Sequence, residues 1–158
     1  MNMINAMRAL RVLLLVGFLA FGIAPMFGAA PVRLVKVLPH FVDKQGRIAL
    51  NPSLYERDAY QAHLRRTPAE QGGLRFDVQW KTVTADRLTL RLELRGNKSN
   101  VGTTAVLEEK VRYTGFFSTW SRINLTGTEF ARFGELSAWR ATLWEGEKLV
   151  AEQKSFLW

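Results

Sequence analysis

The chain contains no cysteine in its 158 residues. That absence excludes disulfide frameworks, cysteine-ligated zinc or iron–sulfur centres, thiol catalysis and lipid attachment at a cysteine. Stability must therefore come from packing. Histidine is nearly as scarce: His40 and His63 are the two present, and they form neither an HxxxH nor an HExxH spacing. No metal site is expected from them. The motifs that would announce catalysis or nucleotide binding, GxSxG, a Walker loop and GxGxxG, are missing as well. Glu108 and Glu109 are adjacent, so on a strand their carboxylates point to opposite faces and cannot work as a pair. Asp58 and His63 are spaced for different sides of a helix. The sequence offers no catalytic residue and implies no cofactor. A small hydrolase remains a distant alternative that would need a cleft where Asp, Glu, Ser or His converge.

What the chain does have is an ordinary globular balance, 47% hydrophobic and 23% charged residues, over a length suited to one domain. Its formal net charge is +8, of which Arg8 and Arg11 supply two units. A moderately cationic surface suits anionic headgroups, acidic polysaccharide or nucleic acid, and equally serves solubility.

Residues 1–30 read as a targeting segment. Two arginines without an acid precede the apolar run Val12–Phe27, which contains Pro25 and is followed by Gly28, Ala29 and Ala30. This is the layout of a secretory signal peptide, with cleavage after Ala30. Pro31 would then follow the cut, a position that signal peptidases handle poorly. The apolar stretch Val12–Ala30 is also close to the roughly 20 residues that cross a bilayer, so an uncleaved anchor with its arginines inside is the second reading. Both put residues 31–158 outside the cytoplasm, periplasmic or secreted, or held at the inner membrane by residues 12–30. That location removes nucleic acid from the expected partners.

Beyond the leader, Arg33–Leu38 reads as a first or edge strand closed by Pro39. The stretch from Phe41 to Leu50 reads as a small hairpin around Asp43–Gly46. Ser53 and Glu56 have capping-box spacing, which predicts one helix over about 53–66. Leu54, Ala59 and Ala62, with Tyr55 and Leu64, would supply its apolar stripe, and Arg65 and Arg66 favour its C-terminal end.

From Leu74 the hydrophobic period becomes two. Leu74, Phe76, Val78 and Trp80 alternate with polar residues, then Leu88, Leu90, Leu92 and Leu94 do the same. With Ala85–Asp86 between them, 74–95 reads as a β-hairpin. Gly96–Gly102 reads as a polar loop, and Gly115–Thr119 as a second loop suited to recognition. Strands follow at 103–113 and 120–125, and residues 126–134 read as a connection anchored by Phe130 and Phe133. A last hairpin turns at Glu145–Gly146, its terminal aromatics closing the core.

That last stretch, WRATLWEGEKLVAEQKSFLW, resembles the closing hairpin of immunoglobulin-like and fibronectin-III-like sandwiches in exported bacterial proteins. The expected fold class is a mostly β, immunoglobulin-like antiparallel β-sandwich over 31–158 with one short helix.

Two surface features could carry recognition. The polar face of the expected hairpin gathers Arg75, Lys81, Arg87, Arg91 and Arg95, with Asp77 and Glu93 interleaved, and Arg87, Arg91 and Arg95 are its candidate ligands. They form either a field of cross-strand charge pairs or a seat for acidic glycan or anionic lipid. Among the five tryptophans, Trp80 and Trp139 fall on apolar faces, and Trp144, on the opposite parity to Trp139, is the candidate for exposure. The sequence thus points to a non-enzymatic envelope module with a protein partner. Binding of acidic glycan or anionic lipid through Arg87, Arg91, Arg95 and Trp144 is the alternative, and contact with the membrane follows if the leader is uncleaved.

Overall fold

The computed structural model describes residues 32–82, 87–113 and 118–158; the leader, 1–30, lies outside them. The described chain is mostly strand. Its elements are β1 (Val32–Asp43), α1 (Leu54–Arg66), a 3-10 turn (Pro68–Glu70), β2 (Gln71–Thr82), β3 (Arg87–Lys98), β4 (Val101–Arg112), β5 (Thr119–Thr126), α2 (Gly127–Phe133), β6 (Glu135–Glu145) and β7 (Lys148–Lys154). They form two antiparallel sheets, ordered β1-β2-β5 and β4-β3-β6-β7. No helix among the described residues is long and apolar enough to cross a membrane.

Alternation creates the core. Every second residue of β2, from Leu74 to Trp80, is buried, and so is every second residue of β3, from Leu88 to Leu94. Both rows belong to one hydrophobic cluster that also takes Val37, Ile123, Leu125, Ala141 and Leu143. The two sheets therefore close on each other as a sandwich. This corrects the hairpin expected over 74–95, because β2 pairs with β1 and β5 while β3 pairs with β4 and β6. Alternation specifies which face is buried, not which strand lies alongside. A hairpin and a crossing between sheets demand the same pattern.

Other expectations are also corrected. Gly96–Gly102 is not a loop: β3 and β4 continue to Lys98 and Val101, joined by Ser99 and Asn100 at φ 52° and 65°. Two successive left-handed residues make the turn that matches strand twist. Gly96 is a packing glycine, since a Cβ there would lie 2.7 Å from Phe133. Residues 41–50 do not form a hairpin either, because β1 runs through Pro39 to Asp43 and pairs with β2 alone. Proline is tolerated on such an edge, where a missing N–H need not break a ladder. The expected connection at 126–134 contains the second helix, α2.

The expected α1 starts at Leu54, with the Ser53 hydroxyl accepting from the Glu56 N–H at 3.5 Å. Its apolar stripe is not what docks it, for Leu64 is the one buried residue of the helix. Gln61 instead accepts from the Phe41 N–H at 2.8 Å and donates to the Phe41 carbonyl at 2.9 Å and the Ile48 carbonyl at 2.8 Å. One side-chain amide thus takes the place of a neighbouring strand on the free edge of β1.

Because the inner rows hold the sheets together, Leu92→Ala is expected to cost about 2–5 kcal/mol. Urea unfolding should show a lower midpoint, and an unchanged midpoint would contradict the placement of Leu92 in the core.

Candidate functional site

All four residues singled out from the sequence lie on the outer face of the four-stranded sheet, where β3 and β6 alternate in step. They do not form an open cationic patch. Arg91 sits in ion-pair range of Glu93 at 3.3 Å and Glu108 at 3.5 Å. Glu93 also accepts from Arg140 Nε at 2.9 Å. Arg95 stacks on the Trp158 ring at 4.1 Å, with Arg140 over the same ring at 5.1 Å. Arg87, at the end of the strand, is exposed and stands opposite Arg112. Arg91 and Arg95 are thus engaged by their own neighbours, which weakens them as anion ligands.

Trp144 is half-buried, and its indole N–H donates to the Thr142 hydroxyl at 2.9 Å, while that hydroxyl donates to the Arg91 carbonyl. The exposed indole is Trp120, half exposed at 50% on the outer face of the other sheet. Trp80 is fully buried, as its alternation requires, and donates to the Ser121 hydroxyl at 3.0 Å. The terminal aromatics do not close the core. After β7 the chain turns at Ser155, which binds the Trp139 backbone, and returns Trp158 to the outer face while Phe156 stands wholly in water.

The outer face of the three-stranded sheet has a tighter polar cluster. Asp77 takes the Arg75 guanidinium at 2.9 Å and meets Arg122 at 3.4 Å and His40 at 3.9 Å. Burial lowers the His40 pKa below its ordinary value against the pull of Asp77, so its ring favours the neutral form. The cluster has one carboxylate for two guanidinium groups, an arrangement that consumes its charge rather than poising an acid against a base. Among the described residues no group of three or more His, Asp or Glu is placed to hold a metal ion.

An open cleft of about 600 Å³ lies at the end of the sandwich capped by α2, between Phe41, Arg65, Lys98 and Phe130. The Lys98 ammonium donates to the Ala131 carbonyl at the end of α2. Gly134 permits the close approach there: at φ 80° it lies against the Asn97 carbonyl, with no room for a Cβ.

The best-anchored surface element was not singled out from the sequence. Asp43 Oδ1 accepts from the backbone N–H groups of Gln45 and Arg47, and Oδ2 accepts from Arg47 Nε at 2.7 Å and the Tyr60 hydroxyl at 2.8 Å. Burial alone would raise the Asp43 pKa, but these donors outweigh it and hold the carboxyl at about 2. The same bond raises the Tyr60 pKa. Asp43 thereby ties α1 to the end of β1, and with it the head of the helix. There Leu50, Leu54 and Tyr55 are held 63%, 67% and 84% exposed. The Asp43–Gly46 turn was legible, but not that its first side chain would reach a helix residue 17 positions on.

A crystal structure of a protein from Akkermansia muciniphila is similar to this chain, with a TM-score of 0.51 over 78% of this chain and 68% of that one, at 14% identity. Likeness at that identity shows a shared fold alone. No family model and no curated protein matches the chain.

The depressed Asp43 pKa fixes a pH signature. The carboxylate is favoured in the folded state, so its contribution to stability is complete above the ordinary value of 3.8 and is lost as pH falls toward about 2. Asp43→Asn should lower the urea midpoint at neutral pH and flatten its fall across that acid range. A variant with the same acid dependence as the parent chain would contradict the anchoring role.

Proposed function

We propose that this chain is an exported, non-enzymatic interaction module of the cell envelope that docks a protein partner through the head of α1. The observation that carries this reading is the exposure of Leu50, Leu54 and Tyr55 on a segment fixed to the sandwich by Asp43 and Gln61. Apolar side chains held in water cost free energy that a partner surface recovers. A rigid presentation also reduces the ordering cost of association. The partner complementary to this head offers an apolar recess, and an acidic border would suit the exposed Arg65 and Arg66 at the other end of the helix.

The frame we propose is immunoglobulin-like, of the fibronectin-III kind. Two strand orders support it: the first, second and fifth strands form one sheet, and the third, fourth, sixth and seventh form the other. The same division separates A, B and E from C, C′, F and G in such sandwiches. The chain departs from antibody domains in having no intersheet disulfide and in carrying its core indole, Trp80, on the second strand. The internal pairing of Arg91 and Arg95 favours a structural part for them over acidic-glycan binding.

Site-specific photo-crosslinking in intact cells tests the docking head. A crosslinker replacing Tyr55 should trap one discrete envelope protein, and Leu54→Glu should remove that product without changing the thermal midpoint. The same crosslinker at Glu129 on α2 should trap nothing. Products that survive Leu54→Glu, or that form equally from both positions, would overturn the proposal.

A further inference from the structure

The end of the sandwich at which β1 begins gathers two facing cation pairs. Arg33 stands directly opposite Lys81 across β1 and β2, and Arg87 stands directly opposite Arg112 across β3 and β4. All four are exposed. Like charges at facing positions of an antiparallel pair repel. Elsewhere Asp77 pairs with Arg75, Glu93 pairs with Arg140 and Trp158 stacks on Arg95, but none of the four facing cations forms an ion pair among the described residues. Of the carboxylates described at this end, Glu145 closes β6 opposite Lys148 and Glu147 lies in the β6–β7 turn, and Asp86 lies outside the described residues.

Repulsion of this kind is relieved by an external anion, and three observations identify its form. The two cation pairs lie on the two outer faces of the sandwich, on sheets that stack about 10 Å apart, so they rim a broad base rather than line a groove. Trp120, the exposed indole, is on the same lower part of the three-stranded sheet, opposite Gln79. An indole with one apolar and one polar edge suits the headgroup layer of a bilayer. The chain also reaches Val32 at this end from the apolar stretch Val12–Ala30, with Pro31 alone between them.

We infer that this end of the sandwich is a seat for an anionic phospholipid surface, with Arg33, Lys81, Arg87 and Arg112 meeting headgroup phosphates and Trp120 entering the interface. The inference uses residues separate from the docking head of α1 and stands or falls independently of it. It also accounts for two facing cation pairs in one place: near an anionic surface each contributes attraction that exceeds its mutual repulsion in water.

The absence of cysteine allows a single spin label to be introduced. The full chain carrying Leu149→Cys, at the seat, or Lys44→Cys, at the far end, is incorporated into vesicles of phosphatidylcholine alone or with phosphatidylglycerol. Collision with a water-soluble nickel complex is then measured. Label 149 should be protected only in the anionic vesicles, and label 44 in neither. Each basic residue contributes about fivefold to partition onto an anionic surface. The combined Arg33→Ser, Lys81→Ser, Arg87→Ser and Arg112→Ser variant should therefore return label 149 to its accessibility in phosphatidylcholine. Its thermal midpoint should be unchanged or higher, since repulsion is removed. Equal accessibility in both vesicle types, protection that survives the four substitutions, or equal protection by soluble dextran sulfate without vesicles would overturn the inference.

Discussion

The contact between two apolar rows, Phe76–Trp80 on β2 and Leu88–Leu94 on β3, positions every surface of this protein. These side chains are fully or almost fully buried, and each contributes on the order of 1.5–3 kcal/mol on leaving water. Because the rows face each other from different sheets, they set the spacing of the sandwich and turn the polar rows of both strands outward. One outward row becomes the Glu93 lattice of arginines, the other the Asp77 cluster. The core thus determines where the charge lies, and the local sequence determines how it is neutralised.

Polar contacts complete what the apolar rows leave open. The free edge of β1 would expose unpaired amides, and Gln61 satisfies both hydrogen-bonding groups of Phe41 from a helix that buries only one of its side chains. Asp43 fixes the other end of that attachment with four donors. A helix attached in this way can leave Leu54 and Tyr55 in solvent without detaching. The same economy is absent at the base of the sandwich, where the facing cations form no ion pair among the described residues. The contrast between neutralised sheet faces and an unneutralised base gives the domain its polarity.

Much of this could be read from the order of residues, and the failures share a cause. The leucine and aromatic alternation gave the buried faces of β2 and β3 correctly, and the Ser53 and Glu56 spacing located the start of α1. Partner choice was not legible, because the 74–95 alternation is the same for a hairpin as for strands in opposite sheets. The docking of α1 was missed because a side-chain amide on a strand edge leaves no periodic signal. Trp144 was favoured for exposure by parity, which is right about its outward face but blind to the Thr142 hydroxyl that holds it down. Trp120 and Trp158 follow from chain reversals and strand positions that no local pattern encodes. The second helix, seven residues from Gly127 to Phe133, is too short for a hydrophobic period to declare itself.

Backbone NMR contacts on isotopically labelled chain report whether β2 and β3 face each other from different sheets. Cross-strand contacts are predicted between Phe76 and Ile123 and between Leu92 and Ala141, with none between the backbones of β2 and β3. A ladder of backbone contacts joining β2 to β3 would contradict the sandwich and every surface derived from it.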